Sequence, residues 1–425
     1  MELFKWWFYS LILGVIGEKN KPLIYTNTIE NPTLKRKPYI WVFCSTIGEL
    51  NGCKPIIETL AADYSLVLIT DRDCYADAYK LQFPDAVIVQ LTGWKDEAKA
   101  IYELFPTHHF ILCEIPCLPN DAPCRLAYAF LRYLKKQKIT LVTVNSWLYE
   151  YAPSCKQDSI ERKLFSKEYV KLFDALMVQT ESVKDKLSKA GALESNLHVT
   201  GNLKFDAVSD LTIQFKSLQA RDLYNQLKSY KQSIFVAGSL SDKSEYKVLI
   251  DAFKKFKEHK SDAIMIMAPR HPEKQQQLDE IAQLLTQYEF KYEFRSQLET
   301  QISPNLDVLV LDTFGELRGL YAVSDFSYIG KNHNVLEPLA FGKPVVVISG
   351  WEATYPSFPV YQITKQQGLL FEIDDQNLLG PELIKVSQLD QKSFADNTKT
   401  TLQKLATTLD KNNHILRQLK IISKV

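Results

Sequence analysis

The run Ser65-Leu-Val-Leu-Ile-Thr70 places four apolar residues in succession between two polar ends. A strand with one wet face alternates apolar and polar side chains. A strand covered on both faces does not, so this run reads as one member of a parallel sheet buried on both sides. Outward from it the signal recurs at Tyr39–Cys44, Ala86–Gln90, His109–Glu114, Ile139–Val144, Asp174–Gln179 and Leu197–Thr200. Helix-prone stretches, for example Ala122–Lys136 and Ile160–Leu172, separate these runs, and the alternation is the β-α-β signature of a doubly wound domain.

The pattern then restarts with Ser233–Ala237, Ala263–Ala268, Asp307–Leu311, Asp325–Ile329, Pro344–Ile348 and Gly368–Phe371. Between the two series, Ala207–Lys231 is polar and holds no strand candidate. The expected fold class is α/β, with two Rossmann-like domains, residues 18–207 and 208–390, facing each other across a cleft. The stretch 391–425 reads as a C-terminal helical segment, too polar outside one stripe to be a domain. Ligands of such sheets lie beyond the carboxyl ends of the strands, so residues just after strands carry the chemistry.

Two domains agree with the chain length of 425 residues, and 46% hydrophobic with 24% charged residues excludes a disordered, collagenous or coiled-coil chain. Lys plus Arg number 51 against 50 acidic residues, and a general nucleic-acid binder would carry a clear basic excess. The seven cysteines all lie within the first 155 residues and read as reduced, buried thiols. Cys113, Cys117 and Cys124 lack a paired C-x-x-C spacing, so no metal is expected.

Residues 1–17 carry no charge after Lys5, yet crossing a bilayer takes about 20 apolar residues. No small-residue cleavage site follows, which argues against a secretory signal. Trp6 and Trp7 beside Lys5 favour a membrane-interfacial helix over the alternative, a first helix packed on its own domain.

Four segments concentrate polar groups at strand ends. In Cys44-Ser-Thr-Ile-Gly-Glu49, a strand ends and Glu49 stands at a helix start. A carboxylate there either accepts a proton from a hydroxyl nucleophile or complements the positive helix end. In Ala268-Pro-Arg-His-Pro-Glu273, Arg270 and His271 lie where an anionic phosphate would meet free backbone N–H groups, and Pro272 suits a first helical turn. In Leu311-Asp-Thr-Phe-Gly-Glu316, Thr313 and Glu316 have capping-box spacing. In Gly330-Lys-Asn-His-Asn-Val-Leu-Glu337, four polar residues precede a short helix whose Glu337 has the chemistry to accept two ribose hydroxyls. No G-x-x-x-x-G-K-[ST], G-x-G-x-x-G, G-x-S-x-G or H-E-x-x-H motif occurs.

Together with Glu114–Asn120, Val199-Thr-Gly-Asn-Leu-Lys-Phe-Asp206 and Val236-Ala-Gly-Ser239, these segments resemble the 3-deoxy-D-manno-octulosonic acid (Kdo) transferases of lipopolysaccharide assembly. The resemblance runs from about Trp41 to Val347 and implies the glycosyltransferase-B architecture. It implies inverting transfer of Kdo from CMP-Kdo to a hydroxyl of a lipid A precursor or related glycolipid, on the cytoplasmic face of the bacterial inner membrane. By the same resemblance Glu49 is the general base. Arg270 and His271, with the backbone of Phe314, Gly315 and Glu316, hold the CMP phosphate, and Asn334 and Glu337 hold phosphate and ribose. Lys204 is a further candidate to neutralise the leaving phosphate, and Ser45, Glu114, Asn120 and Trp147 are candidates on the acceptor side. CMP-Kdo is a co-substrate, and neither a metal nor another cofactor is implied.

The chain departs from the family's pattern chiefly in its first half. Trp147 stands where arginine is common, Leu118 where tryptophan is, and Thr70-Asp-Arg-Asp-Cys-Tyr replaces a threonine-rich stretch. In the second half, the glycine-rich run before His333-Asn334 is short. A changed acceptor, such as another glycan, therefore fits these departures better than a changed donor. A homologue that binds a nucleotide sugar without turnover is the third reading, and Glu49 argues against it.

Overall fold

The computed structural model describes residues 2–16, 20–25, 37–72, 75–114, 126–148, 156–208, 211–213, 215, 217–241, 243–298, 301–303 and 305–423. It divides into two compact units, one formed by Met1–Ala207 with Ala406–Val425 and the other by Val208–Leu405.

The first unit is built on eight strands: β1 (Leu23–Tyr25), β2 (Tyr39–Phe43), β3 (Ser65–Thr70), β4 (Val87–Gln90), β5 (Thr107–Cys113), β6 (Thr140–Ser146), β7 (Ala175–Val178) and β8 (Leu197–Val199). Their order is β1-β4-β3-β2-β5-β6-β7-β8, with β1 antiparallel to β4 and the remaining neighbours parallel. Alternation along β2 shows why the apolar runs are unbroken. Trp41 and Phe43 enter one buried cluster with Phe110 and Phe130, whereas Ile40 and Val42 enter another with Leu68 and Ile57. Both faces are dry, and each fully buried large side chain contributes about 1.5–3 kcal/mol of transfer free energy.

The second unit holds β9 (Ile234–Leu240), β10 (Ile264–Pro269), β11 (Tyr292–Phe294), β12 (Val308–Val310), β13 (Phe326–Ile329), β14 (Val345–Ile348) and β15 (Leu370–Ile373). Their order is β11-β12-β10-β9-β13-β14-β15, parallel throughout. Every strand expected from the sequence forms. The two added ones, β1 and β11, are three residues long and only half-buried, so they leave no apolar run to read.

The two ends of the chain pack in different ways. The stretch 391–425 is not one appendage. The Gln391–Leu405 helix stays with the second unit, while the Thr408–Gln418 helix joins the first. Ile415, Leu416, Ile421 and Ile422 sit in the first unit's core, and Asp206 Oδ1 accepts the Leu409 N–H at 3.1 Å. The physical reason is that apolar stripe, which is buried against the first unit's core.

The N-terminal Glu2–Ile16 helix is packed on its own unit along one face and bare along the other. Trp6 meets Tyr128 and Phe165 with ring centroids 5.9 and 6.2 Å apart, under the Arg132 guanidinium at 4.7 Å. Tyr9 and Leu13 are buried beside them. Leu3, Phe4, Trp7, Phe8 and Leu11 are all more than half exposed, so the tryptophan doublet splits, one ring inward and one outward. Among the described residues no helix is long and apolar enough to cross a membrane.

Candidate active site

In the first sheet the strand order reverses between β2 and β5, and the crevice of a doubly wound sheet opens at the carboxyl ends of such a pair. The segment after β2 supplies Ser45, Thr46 and Glu49, and the residue after β5 is Glu114.

The helix Ile47–Asp63 starts with a complete capping box, in which the Thr46 side chain accepts from the Glu49 N–H and Glu49 returns to the Thr46 N–H. Glu49 is 2% exposed. Its Oε2 accepts the N–H groups of Ser45 at 2.5 Å and Thr46 at 3.3 Å, and its Oε1 has no hydrogen-bond partner among the described residues. Burial, and then the negative charge of Glu114, hold its proton affinity well above the usual carboxylate range, although the Ser45 N–H opposes them. One oxygen is therefore clamped while the other is dehydrated and unpartnered, an arrangement suited to accepting a proton.

Around Glu114 lies a buried polar network. Lys204 Nζ is 2.7 Å from Glu114 Oε1, and Asn145 Nδ2 donates to the same oxygen at 2.9 Å. Asn145 Oδ1 accepts the Leu203 N–H, Gln179 donates to the Asn145 carbonyl, and Asn202 donates to Gln179. Glu114 and Asn145 both adopt left-handed backbone, with φ of 58° and 56°. Left-handed non-glycine residues are uncommon, and two side by side at the ends of β5 and β6 mark a position that the surroundings over-determine. On the β2 side, the Ser45 hydroxyl donates to Asp71 Oδ1 at 2.6 Å and its carbonyl accepts from Thr70 Oγ1 at 3.1 Å.

In the second sheet the order reverses between β9 and β13. Ser241 follows β9, and Ser241 Oγ lies 3.5 Å from His333 Nε2 on the turn after β13. Burial, with the charges of Arg270 and His271, pushes the His333 imidazole down to about 4, so it is neutral at physiological pH. Asn334 Oδ1 accepts the Leu336 N–H at 3.0 Å, and Asn334 Nδ2 donates weakly to Glu337 Oε1 at 3.4 Å. Burial raises the proton affinity of Glu337, and the Arg318 guanidinium pulls against it.

A family model described as 3-deoxy-D-manno-octulosonic-acid transferase (kdotransferase) matches residues 125–207. The 3-deoxy-D-manno-octulosonic acid transferase of Chlamydia muridarum is 24% identical over 416 residues, covering 92% of this chain and 88% of that protein. That of Haemophilus influenzae is 25% identical over 333 residues, covering 72% and 70%. The chain is thus similar to Kdo transferases over most of its length. A bifunctional glycosyltransferase/methyltransferase of Fusobacterium nucleatum is 24% identical over 327 residues, and the match spans 74% of this chain but only 47% of that longer protein. Among solved structures, a glycosyltransferase from Rickettsia africae superposes with a TM-score of 0.58 at 12% identity, over 90% of this chain and 98% of that one. A UDP-GlcNAc 2-epimerase from Methanocaldococcus jannaschii gives 0.58 at 14% identity, over 86% and 99%. Those two likenesses show the fold alone, a pair of Rossmann-like domains of glycosyltransferase-B type.

The sequence-derived candidates divide by unit. The first unit brings Glu49, Ser45, Glu114 and Lys204 into one neighbourhood, with Gly52 packed between the Lys204 stem and the Glu114 carboxylate. Lys204 is thereby paired with Glu114. Trp147 is 8% exposed and packed in the core, because an indole at the end of β6 gains more from burial than from solvent. Asn120, Cys117 and Cys124 lie outside the described residues.

In the second unit Arg270 and Phe314 are exposed, and His271 donates or accepts with Glu273 Oε1 at 3.0 Å. Two helix starts differ from expectation. The helix after Pro272 begins only at Gln275, and that after Thr313 begins at Leu317 with no capping box. The reason in the second case is that Glu316 is drawn away: Arg295 Nε donates to its Oε2 at 2.8 Å and the Thr313 hydroxyl to its Oε1 at 3.1 Å. Glu316 thus ties down the loop at Phe314–Gly315, both of which are exposed. Arg295, Asn145, Gln179 and Asp71 were invisible in the sequence, since each acquires its role only from a partner 16 or more residues away.

Proposed function

We propose that the protein is an inverting glycosyltransferase that moves Kdo from CMP-Kdo to a hydroxyl of a lipid A precursor, with Glu49 as general base. The observation that carries the reading is the Glu49 carboxylate, clamped through Oε2 and unpartnered at Oε1, after the strand where the first sheet reverses. Glu49 Oε1 takes the acceptor O–H proton while that oxygen bonds to the anomeric carbon of Kdo. The bond from that carbon to the CMP phosphate oxygen breaks, and its electron pair leaves with CMP. Attack from the face opposite the leaving phosphate inverts the centre. Burial makes the carboxylate a stronger base than an exposed one, at the cost of requiring a pH high enough to ionise it. In the second unit Arg270, the Phe314–Glu316 backbone and Asn334 receive the phosphate, and Glu337 receives ribose hydroxyls. The leaving charge is met by these groups, and no metal is part of the scheme.

The bare apolar face of the N-terminal helix, Leu3, Phe4, Trp7, Phe8 and Leu11, docks on the cytoplasmic face of the inner membrane, where a lipid acceptor resides. A second reading keeps the donor and changes the acceptor to another glycan. It is favoured by Trp147, whose buried indole offers no cation to a phosphorylated lipid where the family commonly has arginine.

The test is CMP release from CMP-Kdo, with and without lipid A precursor, in the parent and in Glu49→Gln. Acceptor-dependent release that Glu49→Gln abolishes is expected. Donor binding with no stimulation by the lipid would transfer support to the second reading.

A further inference from the structure

We propose that Asn332 and Glu352 form a positioning clasp that holds the His333–Asn334 turn in the shape that receives the nucleotide phosphate; the role rests on the donor-site reading above. Asn332 sits in left-handed backbone at φ 66°, a conformation that asparagine tolerates better than most residues. Its Nδ2 donates to Glu352 Oε1 at 3.1 Å, and its Oδ1 accepts the Glu352 N–H at 2.8 Å. Its carbonyl accepts the Ser357 hydroxyl at 2.8 Å. One residue therefore makes three hydrogen bonds to a single loop after β14.

That loop is itself fixed. Trp351 is 7% exposed, donates its indole N–H to the Ile348 carbonyl at 3.0 Å, and stacks on Tyr361 at 4.4 Å with planes 8° apart. Glu352 is thus presented from a rigid post. On the other side of Asn332 the turn is tethered at His333 to Ser241 and at Asn334 to the Leu336 N–H. The short Gly330-Lys-Asn-His run has no spare glycines to absorb motion, and the clasp completes its restraint.

Such a restraint lowers the ordering cost of binding and leaves the chemical step alone. Its signature is therefore a weaker donor affinity with an unchanged kcat. Asn332→Gly suits the test because glycine accepts the same φ without strain while deleting both side-chain bonds. Glu352→Ala removes the partner, and Glu352→Gln keeps both the acceptor oxygen and the backbone N–H.

Calorimetric titration with CMP alone is expected to show about tenfold weaker binding for Asn332→Gly and for Glu352→Ala, a double variant no weaker than either, and Glu352→Gln near the parent. Turnover at saturating CMP-Kdo stays within about twofold of the parent. Single variants that bind CMP as the parent does, or a double variant that falls by the product of the two, would overturn the clasp alone. A parent that binds no CMP would overturn the donor-site reading, and the clasp's role with it.

Discussion

The Lys204 ammonium reaches Glu114 past Gly52: a Cβ at position 52 would lie 3.2 Å from Lys204 Cε and 3.6 Å from Glu114 Oε1. Gly52 is one helical turn beyond Glu49, so the ion pair runs along the helix face that carries the proposed base. The negative charge of Glu114 in turn raises the proton affinity of Glu49.

Replacing Glu114 with Gln removes a negative charge that raises the Glu49 proton affinity and leaves the Lys204 cation uncompensated, which lowers it further. Both changes have the same sign. The acid limb of the pH profile of kcat/KM is expected to move to lower pH, with a lower plateau because the base is weaker. A profile that keeps its acid limb in place would refute the coupling. The variant is also expected to lose about 3 kcal/mol of stability in urea, the low end for breaking a buried pair, since Lys204 keeps some solvent.

Two buried carboxylates away from Glu49 set a pH dependence of folding. Burial pushes Glu161 up to about 8 and Glu97 up to about 7, against N–H donors from Tyr128 and from Thr92 and Gly93. The folded state thus holds protons that the unfolded chain releases near the ordinary value of about 4.3. The sign follows: stability is fullest below that value and falls as pH rises through 7 and 8. The urea midpoint of Glu161→Gln is expected to fall less than that of the parent between pH 5 and 8, and parallel curves would refute it.

At Gly238 a methyl group would meet the Tyr321 hydroxyl at 1.8 Å and its Cζ at 2.9 Å, both buried. Gly238→Ala is expected to cost about 1–3 kcal/mol by overpacking, measured as a lower melting temperature. Tyr321→Phe in the same chain removes the closer clash and should recover part of the loss. Losses that simply add would show that the two positions do not meet.

Charge placed on the outer face of the first helix should abolish membrane docking and spare the fold. Trp7 and Leu11 are 59% and 53% exposed, so Trp7→Glu with Leu11→Glu is expected to leave the melting temperature within about 2 °C while reducing partitioning to anionic vesicles. Unchanged partitioning would remove that helix from the membrane reading. Substituting Trp6, which is boxed by Tyr128 and Phe165, should instead destabilise the first unit.

Much of the framework was written in short-range pattern. Strands such as β2 and β3 announce themselves because both their faces are dry, whereas the strand-end position of Glu49 left its role open until the family resemblance proposed it as base. What stayed hidden was decided at a distance. Thr313 and Glu316 have the spacing of a cap, yet Arg295, 21 residues before Glu316, takes the carboxylate and the helix starts later. The family resemblance made Lys204 a candidate for the leaving phosphate, and its pairing with Glu114, 90 residues earlier, was not readable from the sequence. Trp147, an acceptor-side candidate, lies buried in the core.

The return of the Thr408–Gln418 helix to the first unit also sets an order of maturation. Ile415, Leu416, Ile421 and Ile422 cover a core whose sheet is complete by Val199, so that core stays uncovered on the ribosome until residue 422 has emerged. The second unit, closed by Leu405, is free to finish before the first. The domain translated earlier is the one that folds to completion last, and a nascent chain stalled before residue 406 would expose an oily floor that invites chaperones or aggregation.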